Sequence, residues 1–488
     1  MKSAWMALAC LVAGCGQPAP SQYDIVLQGG RVMDPESGLD QVRNVGIIAD
    51  RIAAVSEKPL QGKVVVDVAG KVVAPGFIDL HAHGQDLSDN RWQAQDGVTT
   101  ALEMEGGSWP VGEWYQNRSK DGLLNYGITV GHIGARIAAV TGVKTGTDMI
   151  NAWRNPEPNP AWSHRALTDA ELASLIANIQ QGLDQGALGI GMGINYTPAA
   201  PPQEIYRVFQ IAAAAKVPIY VHVRGAGPKE PNGSFSSIQE MLADALTTGA
   251  PLHIVHLGSS GLGQGPQLAG MIDAARARGL DVTTEVYPYT AGSTFIQSAI
   301  FDPGWQERMG ISYPELQWPA TNERLTEATF TKYRKEGGWV ILHMIPESTV
   351  DALVAHPGVM IASDGVPIID GRGHPRGVGT FARVLGRFVR EKKALPLMEA
   401  LRKMSYLPAE RLRGAVPELA RKGRIKVDAD ADLVVFDPNT VLDQATFENP
   451  AQASVGIPHV LVNGTFVVRD GKLVDGVLPG RPVRRPAR

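Results

Sequence analysis

The chain has 488 residues, of which 44% are hydrophobic and 19% are charged, and its formal net charge at pH 7 is −3. This composition is typical of a globular protein with a large core, and it excludes a disordered or fibrous chain. A net charge so close to zero does not indicate the basic surface that nucleic-acid-binding proteins carry, so we expect no nucleic-acid partner.

The first residues have the pattern of an export signal. A lysine at position 2 precedes an apolar stretch, Ala4 to Ala13, that is too short to cross a bilayer as a helix. The stretch is followed by Gly14 and Cys15, and its end resembles the signal of a bacterial lipoprotein. We therefore expect residues 1–14 to be a signal peptide, Cys15 to carry a lipid, and residues 15–22 to form a flexible tether.

The expected location follows from this signal. The resemblance to lipoproteins implies export and sorting to the outer membrane, on its periplasmic side, because Gly16 rather than an aspartate follows the cysteine. A plain secretory signal is the alternative. The two cysteines are Cys10 and Cys15, so the mature protein would contain no internal disulfide. The only membrane contact that we expect is the lipid anchor.

The two ends of the remaining chain are rich in short strands. Residues 23–74 contain β-branched runs separated by turn residues, and a matching pattern returns in residues 425–480. Two β-rich ends that flank a different middle predict one small β-sandwich domain built from both ends of the chain.

The middle of the chain, residues 75–424, alternates between strand-like and helix-like segments. The strand candidates are residues 77–80, 97–105, 127–132, 188–192, 218–223, 252–257, 282–287 and 359–364. Repeated β–α alternation predicts a parallel sheet, and eight such units predict a (β/α)8 TIM barrel, an α/β fold. An open doubly wound sheet is the alternative, but no glycine-rich phosphate turn follows the first strand. Residues 299–335 are interpreted as a lid-like insertion.

Residues that can bind metal follow the carboxyl ends of these strands. His81 and His83 come after the first strand and point the same way, because side chains alternate along a strand. The others are Glu105 after the second strand, His222 after the fifth, His256 after the sixth and Asp364 after the eighth. Active sites of TIM barrels are built at that end, and this set of ligands suits zinc or another divalent ion.

The pattern resembles that of the amidohydrolase superfamily, in which His-x-His follows the first strand, single histidines follow the fifth and sixth, and an aspartate follows the eighth. Within that superfamily the chain looks most like the N-acyl-D-amino-acid deacylases. The stretches that carry this resemblance are residues 186–198, 222–225, 285–294, 363–365, 374–386 and 431–438. The resemblance implies a metal-dependent hydrolase that cleaves a linear amide C–N bond of a small molecule.

The resemblance also implies roles for individual residues. His81 and His83 would bind one zinc-like ion, and His222 and His256 a second. Relatives place a carboxylated lysine, a cysteine or a glutamate between the ions; here Glu105 is our choice and Glu103 the alternative. Asp364 would complete the metal site and act as the general base, because a divalent ion lowers the pKa of water toward about 7.

Other residues match the family's substrate-binding positions. They are Tyr196, Tyr287 or Tyr289, and Arg376. Arginine suits a substrate carboxylate because its planar fork makes two parallel hydrogen bonds, whereas interior packing is the alternative role for the tyrosines. His132, at the end of the third strand, is predicted either to contact substrate or to pack. A family lysine is replaced by Gly258, so one carboxylate anchor is missing.

Other functions are possible for this scaffold. A dipeptidase or a hydrolase of cyclic amides would use the same barrel and ligands. A non-catalytic periplasmic binding protein would be expected to have lost metal ligands, whereas this chain retains a complete set. We therefore predict a metal-dependent deacylase of N-acyl-D-amino acids that binds one or two divalent ions.

Overall fold

The computed structural model of the protein describes residues 22–145 and 160–487. The predicted signal peptide, Cys15 and all of the predicted tether except residue 22 lie outside the described residues. Within those residues, none of the helices is both long and apolar enough to cross a membrane. The described chain forms a nine-stranded sheet, an eight-stranded parallel sheet and a four-stranded sheet.

The nine-stranded sheet is the predicted domain built from both chain ends. Its strands are β1 (Tyr23–Asp34), β2 (Leu39–Ile48), β3 (Arg51–Ser56), β4 (Gly62–Asp67), β5 (Val72–Pro75), β18 (Leu433–Phe436), β19 (His459–Val462), β20 (Thr465–Arg469) and β21 (Lys472–Leu473). The two ends meet where β5 pairs antiparallel with β18. Because β5 leads directly into the next sheet, this domain fixes the start of the barrel.

The eight-stranded sheet is the predicted barrel. Its strands are β6 (Phe77–Asp79), β7 (Val98–Ser108), β8 (Asn125–Gly131), β9 (Ile190–Gly193), β10 (Ile219–His222), β11 (Leu252–Ile254), β12 (Val282–Val286) and β17 (Val359–Ile361). Every pair is parallel, and the spatial order follows the chain order. All eight predicted strands are therefore confirmed. Buried side chains such as Ile78, Leu102 and Tyr220 fill the interior.

The first and last strands of this sheet meet at their carboxyl ends. One parallel bridge joins Ala82 to Gly365. Asp79, at the end of β6, accepts hydrogen bonds from the hydroxyl of Ser363 and, at 3.0 Å, from its backbone N–H. Burial raises the pKa of Asp79 to about 6. These contacts hold the loop after β17 against the loop after β6.

Helices surround the barrel. They are α1 (Leu87–Gln95), α2 (Val111–Arg118), α3 (His132–Thr141), α4 (Ala161–His164), α5 (Asp169–Asp184), α6 (Pro202–Ala215), α7 (Ser234–Thr248), α8 (Leu257–Gly261), α9 (Gly265–Ala277), α10 (Trp305–Met309), α11 (Glu327–Glu336), α12 (Glu347–Ala355), α13 (Arg376–Arg383), α14 (Leu397–Leu401) and α15 (Leu407–Arg413). Local sequence sets their bounds: Thr168 and Glu171 form a capping box at the start of α5. Segments of π-helix, Val384–Glu391 and Arg402–Tyr406, continue α13 and α14.

The predicted insertion belongs to a larger unit with a sheet of its own. The strands are β13 (Gly292–Phe295), β14 (Leu316–Trp318), β15 (Glu323–Arg324) and β16 (Trp339–Leu342). Two of them, β13 and β16, lie outside the predicted range 299–335. A cluster of buried side chains that includes Phe301, Trp305 and Phe330 joins this unit to Tyr196 and Ile133 of the barrel. The sheet thus covers the carboxyl end of the barrel.

Candidate metal centre

The structure brings the six predicted ligand residues into two groups at the carboxyl end of the barrel. His81, His83, Glu105 and Asp364 form the first group, and Glu105, His222 and His256 form the second. Within each group the ligand atoms all lie within 4.8 Å of one another, and most of the side chains are buried. The two groups share Glu105.

Each oxygen of Glu105 faces a different group. Oε2 lies 2.7 Å from Nε2 of His81, and Oε1 lies 2.8 Å from Nδ1 of His222. Within the second group, Nε2 of His256 lies 3.1 Å from Nδ1 of His222. Within the first group, Nε2 of His83 lies 3.2 Å from Oδ1 of Asp364. The structure therefore places Glu105 between the two sets of histidines.

Glu103 lies behind the first group. Its Oε2 is 2.7 Å from Nδ1 of His83, and its Oε1 accepts a hydrogen bond of 2.9 Å from the backbone N–H of Gly106. The Nδ1 atom of His83 is thereby occupied, so its Nε2 atom is the one presented to the group. Glu103 thus orients a histidine and does not lie between the two groups.

A second buried carboxylate supports the other histidine of this pair. Oε1 of Glu285 lies 2.6 Å from Nδ1 of His81, and its Oε2 lies 3.0 Å from Nε2 of His253. His253 in turn contacts the hydroxyl of Thr283 at 2.7 Å. Sequence reasoning missed Glu285 as part of the site. The available signal was an acidic residue inside an otherwise uncharged buried strand, β12.

Two of the ligand residues have a strained backbone. His256 has φ = 34° and Asp364 has φ = 50°, both in the left-handed region, which is uncommon for residues other than glycine although asparagine, aspartate and histidine adopt it more often than the rest. Such conformations cost energy and persist only where the surrounding structure holds them, commonly at functional sites. Two hydroxyls hold His256, because Oγ of Ser259 and Oγ of Ser260 lie 3.0 and 3.1 Å from its Nδ1.

Asp364 is paired with a buried arginine. Nη1 of Arg376 lies 2.9 Å from Oδ2 of Asp364, while Oδ1 faces His81 and His83. The guanidinium of Arg376 also stacks on the ring of Tyr287, 4.6 Å from its centre. The carboxylate of Asp364 therefore connects the ligand group with the predicted carboxylate anchor.

A cavity of about 770 Å³, which we call the catalytic chamber, opens above the ligand groups. Its polar wall includes Tyr196, Tyr287, Ser259 and Arg376 together with most of the ligand residues. Its apolar wall comes from the unit that contains the four-stranded sheet and includes Phe295, Ile300, Met309, Trp339, Leu342 and Met344. The hydroxyl of Tyr196 lies 2.8 Å from that of Thr294, also in the wall.

The structure places three other residues named by the sequence outside the wall of the chamber. His132 is buried with its Nε2 atom 2.8 Å from Glu204, and Tyr289 packs edge-on against His374 under the guanidinium of Arg383. These positions correspond to the packing alternatives for His132 and Tyr289. A Cβ atom at Gly258 would contact Val286 and Ile345 and would not enter the chamber directly.

Comparison with known proteins decides the family. A family model described as "Amidohydrolase family" matches residues 64–122 and 166–468 of this chain, which is more than half of it. The chain belongs to the amidohydrolase family. The matched range contains every ligand residue of both groups.

Three relatives of this amidohydrolase illustrate how far the similarity extends. An N-acyl-D-glutamate deacylase of Alcaligenes xylosoxydans xylosoxydans is 31% identical over 96% of this chain and 97% of its own. A D-aminoacylase of the same organism is 30% identical over 95% and 98%. The crystal structure of an N-acyl-D-glutamate deacylase from Bordetella bronchiseptica, complexed with zinc and a phosphonate inhibitor, has a TM-score of 0.78 and 27% identity, covering 95% of this chain and 100% of that one.

The electrostatics of this amidohydrolase are set by buried charges that face each other. Burial lowers the pKa of His81, but the carboxylates of Asp364, Glu285 and Glu105 outweigh it and raise that pKa well above the usual value. Burial raises the pKa of Glu285, yet His81 and His253 bring it down to about 2. The pKa of Asp364 is likewise lowered despite burial, because Arg376 and His81 favour its charged form. The carboxylates are therefore held in the charged form that binds cations.

The donor set of this amidohydrolase fits one or two divalent ions. Four imidazoles and two carboxylates converge, and imidazole and carboxylate are ligands of zinc and of other first-row divalent metals. The Nδ1 atoms of His81 and His83 are hydrogen-bonded to the carboxylates of Glu285 and Glu103. Such bonds orient the metal-binding histidines of known sites. The predicted zinc-like cofactor is consistent with both observations.

Proposed function

We propose that this amidohydrolase removes the acyl group from N-acyl-D-amino acids by adding water to a linear amide bond. The observation that carries the proposal is the pair of ligand groups sharing Glu105, beside a buried Asp364–Arg376 pair, at the floor of one chamber. The relatives described above are an N-acyl-D-glutamate deacylase and a D-aminoacylase, and each matches this chain over nearly the full length of both proteins. Cyclic-amide and dipeptide hydrolysis are not favoured by these relatives.

The proposed ligands are His81, His83, Glu105, His222, His256 and Asp364, and a divalent ion bound by them would supply Lewis-acid activation of water and of the amide carbonyl. Asp364 acts as the general base: its ionised carboxylate accepts a proton from the attacking water and passes it to the leaving nitrogen. Arg376 fixes this carboxylate from the other side, at 2.9 Å.

Substrate recognition is assigned to residues of the chamber wall. Arg376 and the hydroxyls of Tyr196 and Tyr287 are proposed to bind the carboxylate of the amino acid. Tyr287 holds the plane of the guanidinium by stacking, so that its remaining N–H groups point in a defined direction. With Gly258 at the position of the family's lysine, Arg376 carries more of this task.

The proposal is tested by metal analysis and a substrate panel. The purified mature protein is analysed for metal and assayed with the N-acetyl derivatives of D- and L-amino acids. We expect one or two zinc-like ions per chain and D-selective release of amino acids. Bound metal without hydrolysis of any N-acetyl amino acid would move the substrate to another amide. A protein that binds no metal under any loading condition would overturn the catalytic proposal.

We also propose that the protein is exported and anchored to the outer membrane through a lipid on Cys15. The support is the sequence Leu-Val-Ala-Gly-Cys that ends at this residue, followed by Gly16. Metabolic labelling with radioactive palmitate tests it: the wild-type chain should be labelled and fractionate with membranes, whereas Cys15→Ala should be unlabelled. An unlabelled wild-type chain in the soluble periplasmic fraction would support a plain secretory signal instead.

A further inference from the structure

A second cavity adjoins the catalytic chamber. It has a volume of about 1170 Å³, opens to solvent, and shares four wall residues with the chamber. The shared residues are Asn195, Ala226, Ile300 and Met309. We call this space the outer cavity. These four residues therefore lie at the boundary between the chamber and the outer cavity.

The outer cavity opens beside the second ligand group, and Arg376 is not part of its wall. Arg224, in its wall, follows two residues after His222, and Asn195 precedes Tyr196, whose ring packs on His222 at 5.1 Å between centres. Arg376 instead lies in the wall of the chamber, where it contacts Asp364 of the first group. A substrate that binds Arg376 would therefore have to extend past the second group to reach the outer cavity.

The outer cavity contains a cation that is not neutralised. Arg224 forms a two-point pair with Glu240, at 2.7 and 2.9 Å, and Asp302 is paired with Arg334 at 3.0 Å. Arg308 instead donates hydrogen bonds to three backbone carbonyls, those of Ile300, Asp302 and Pro303. Within residues 22–145 and 160–487, no carboxylate forms an ion pair with Arg308. The wall therefore carries an excess positive charge.

Together these features define a substrate with two anionic ends. We infer that the outer cavity binds the distal part of the acyl group, and that the preferred acyl group is longer than acetyl and ends in a carboxylate that faces Arg308. This inference rests on the proposed function, because it places the amino-acid carboxylate at Arg376 and the scissile amide over the ligand groups. The substrate class is then the N-dicarboxylic-acyl amino acids.

The test uses amides of D-leucine with acetyl, hexanoyl and adipoyl groups, assayed with the zinc-loaded mature protein. Hexanoyl and adipoyl groups have equal carbon numbers, and only adipoyl ends in a carboxylate. We expect kcat/KM for the adipoyl amide to exceed that for the hexanoyl amide by about ten-fold. A ratio of this size corresponds to the free energy that one hydrogen bond to a charged group contributes. Equal values for the two amides would overturn the inference.

Variants of Arg308 identify the cation responsible. Arg308→Gln should abolish the preference for adipoyl over hexanoyl, whereas Arg308→Lys, which keeps the charge, should retain part of it. The matched control is Arg278→Gln, because Arg278 also donates only to a backbone carbonyl, that of Ala274, and lies outside both cavities. If Arg308→Gln lowers kcat/KM for all three amides equally, Arg308 only supports the loop and the inference fails.

A binding measurement separates this inference from the deacylase proposal. N-adipoyl-D-leucine is titrated calorimetrically into Asp364→Asn with and without Arg308→Gln. Binding that depends on Arg308, without turnover of any amide by the wild type, would keep the outer subsite and overturn the deacylase function. Turnover of the acetyl amide with no effect of Arg308 on binding would keep the deacylase function and overturn the outer subsite.

Discussion

Glu285 holds His81 from within the barrel, with 2.6 Å between Oε1 and Nδ1. Both side chains are fully buried, and the second oxygen of Glu285 is used by His253. The nitrogen of His81 that faces the ligand group is therefore fixed by a residue that is 204 positions further along the chain and lies on β12, beside β17 in the barrel. This relationship, together with that of Glu103 and His83, leads to the first prediction.

Replacing Glu285 with glutamine should weaken metal binding. The amide keeps the shape of the side chain but loses the charge that orients and polarises His81. Partners of this kind typically change metal affinity by roughly 10- to 100-fold. The measurement is competition with a metal-binding dye, which needs no substrate.

The matched control for that experiment is Glu204→Gln. Glu204 is as buried as Glu285 and also contacts a histidine, His132, besides its ion pair with the buried Arg136, but it lies outside the chamber wall. Its replacement should leave metal affinity within experimental error. Equal affinities for wild type and Glu285→Gln would show that Glu285 does not position His81.

Glu103 and Glu105 should respond differently to the same change. Glu105→Gln alters the one carboxylate shared by both groups, so we expect at most one tightly bound ion per chain. Glu103→Gln leaves both ligand sets in place and should reduce only the affinity of the first group. The number of ions bound per chain after dialysis distinguishes the two variants. If Glu103→Gln lost an ion and Glu105→Gln did not, Glu103 would be the shared ligand.

Asp364→Asn should abolish turnover and leave metal bound. Asparagine cannot accept the proton of the attacking water, and loss of a general base costs about 10²- to 10⁴-fold in rate. The five other ligand residues remain. The measurements are kcat with N-acetyl-D-amino acids and metal content of the same sample. Normal turnover by this variant would exclude Asp364 as the base.

Lys403 should make stability depend on pH. It is buried and donates only to the carbonyls of Val354 and His356, and burial lowers its pKa to about 7 from an ordinary value of 10.5. Above pH 7 the folded chain releases this proton while the unfolded chain still holds it. The free energy of unfolding should therefore rise between about pH 7 and about pH 10 through this residue.

Lys403→Met tests that rise. The variant should show a flatter pH dependence of the free energy of unfolding, measured with urea, over the same interval. Lys335→Met, at an exposed position near the end of α11, is the control and should follow the wild type. A variant of Lys403 with the wild-type slope would mean that its ammonium group stays charged in the folded protein.

The barrel was predictable because its strands are short apolar runs that end in polar residues. In a parallel sheet covered by helices the strands are buried on both faces, so each strand is a run of apolar residues. The change from apolar to polar residues then marks the end of each strand in the sequence. The four-stranded sheet was not predicted, because three of its strands contain polar residues and form no apolar run: Gly292–Phe295, Leu316–Trp318 and Glu323–Arg324. Without an apolar run or a clear alternation, a segment gives no signal of a strand.

The ligand positions were predictable because they are polar residues at the ends of apolar strands. The residues that support the ligands were predictable only in part. Five of the six predicted ligands follow or end a strand, and Glu105 lies near the end of β7, which fixes their neighbourhood. Glu285 and His253 meet through pairing of β11 with β12, and contacts between strands depend on register. His253 is buried against Glu285. His132 and Tyr289 were offered as substrate contacts or packing residues, and only the shape of the chamber could separate these roles.

The junction between β6 and β17 connects metal binding with the stability of the barrel. The loops after these strands are joined by the Ala82–Gly365 bridge and by backbone hydrogen bonds, from the N–H groups of His83 and Gly84 to the carbonyl of Gly365 and from the N–H of Gly365 to the carbonyl of His81. His81 and His83 stand on one side of this junction and Asp364 on the other. An ion bound between them would link the two sides of this junction. Loss of the ion would then lower the stability of the folded barrel as well as turnover.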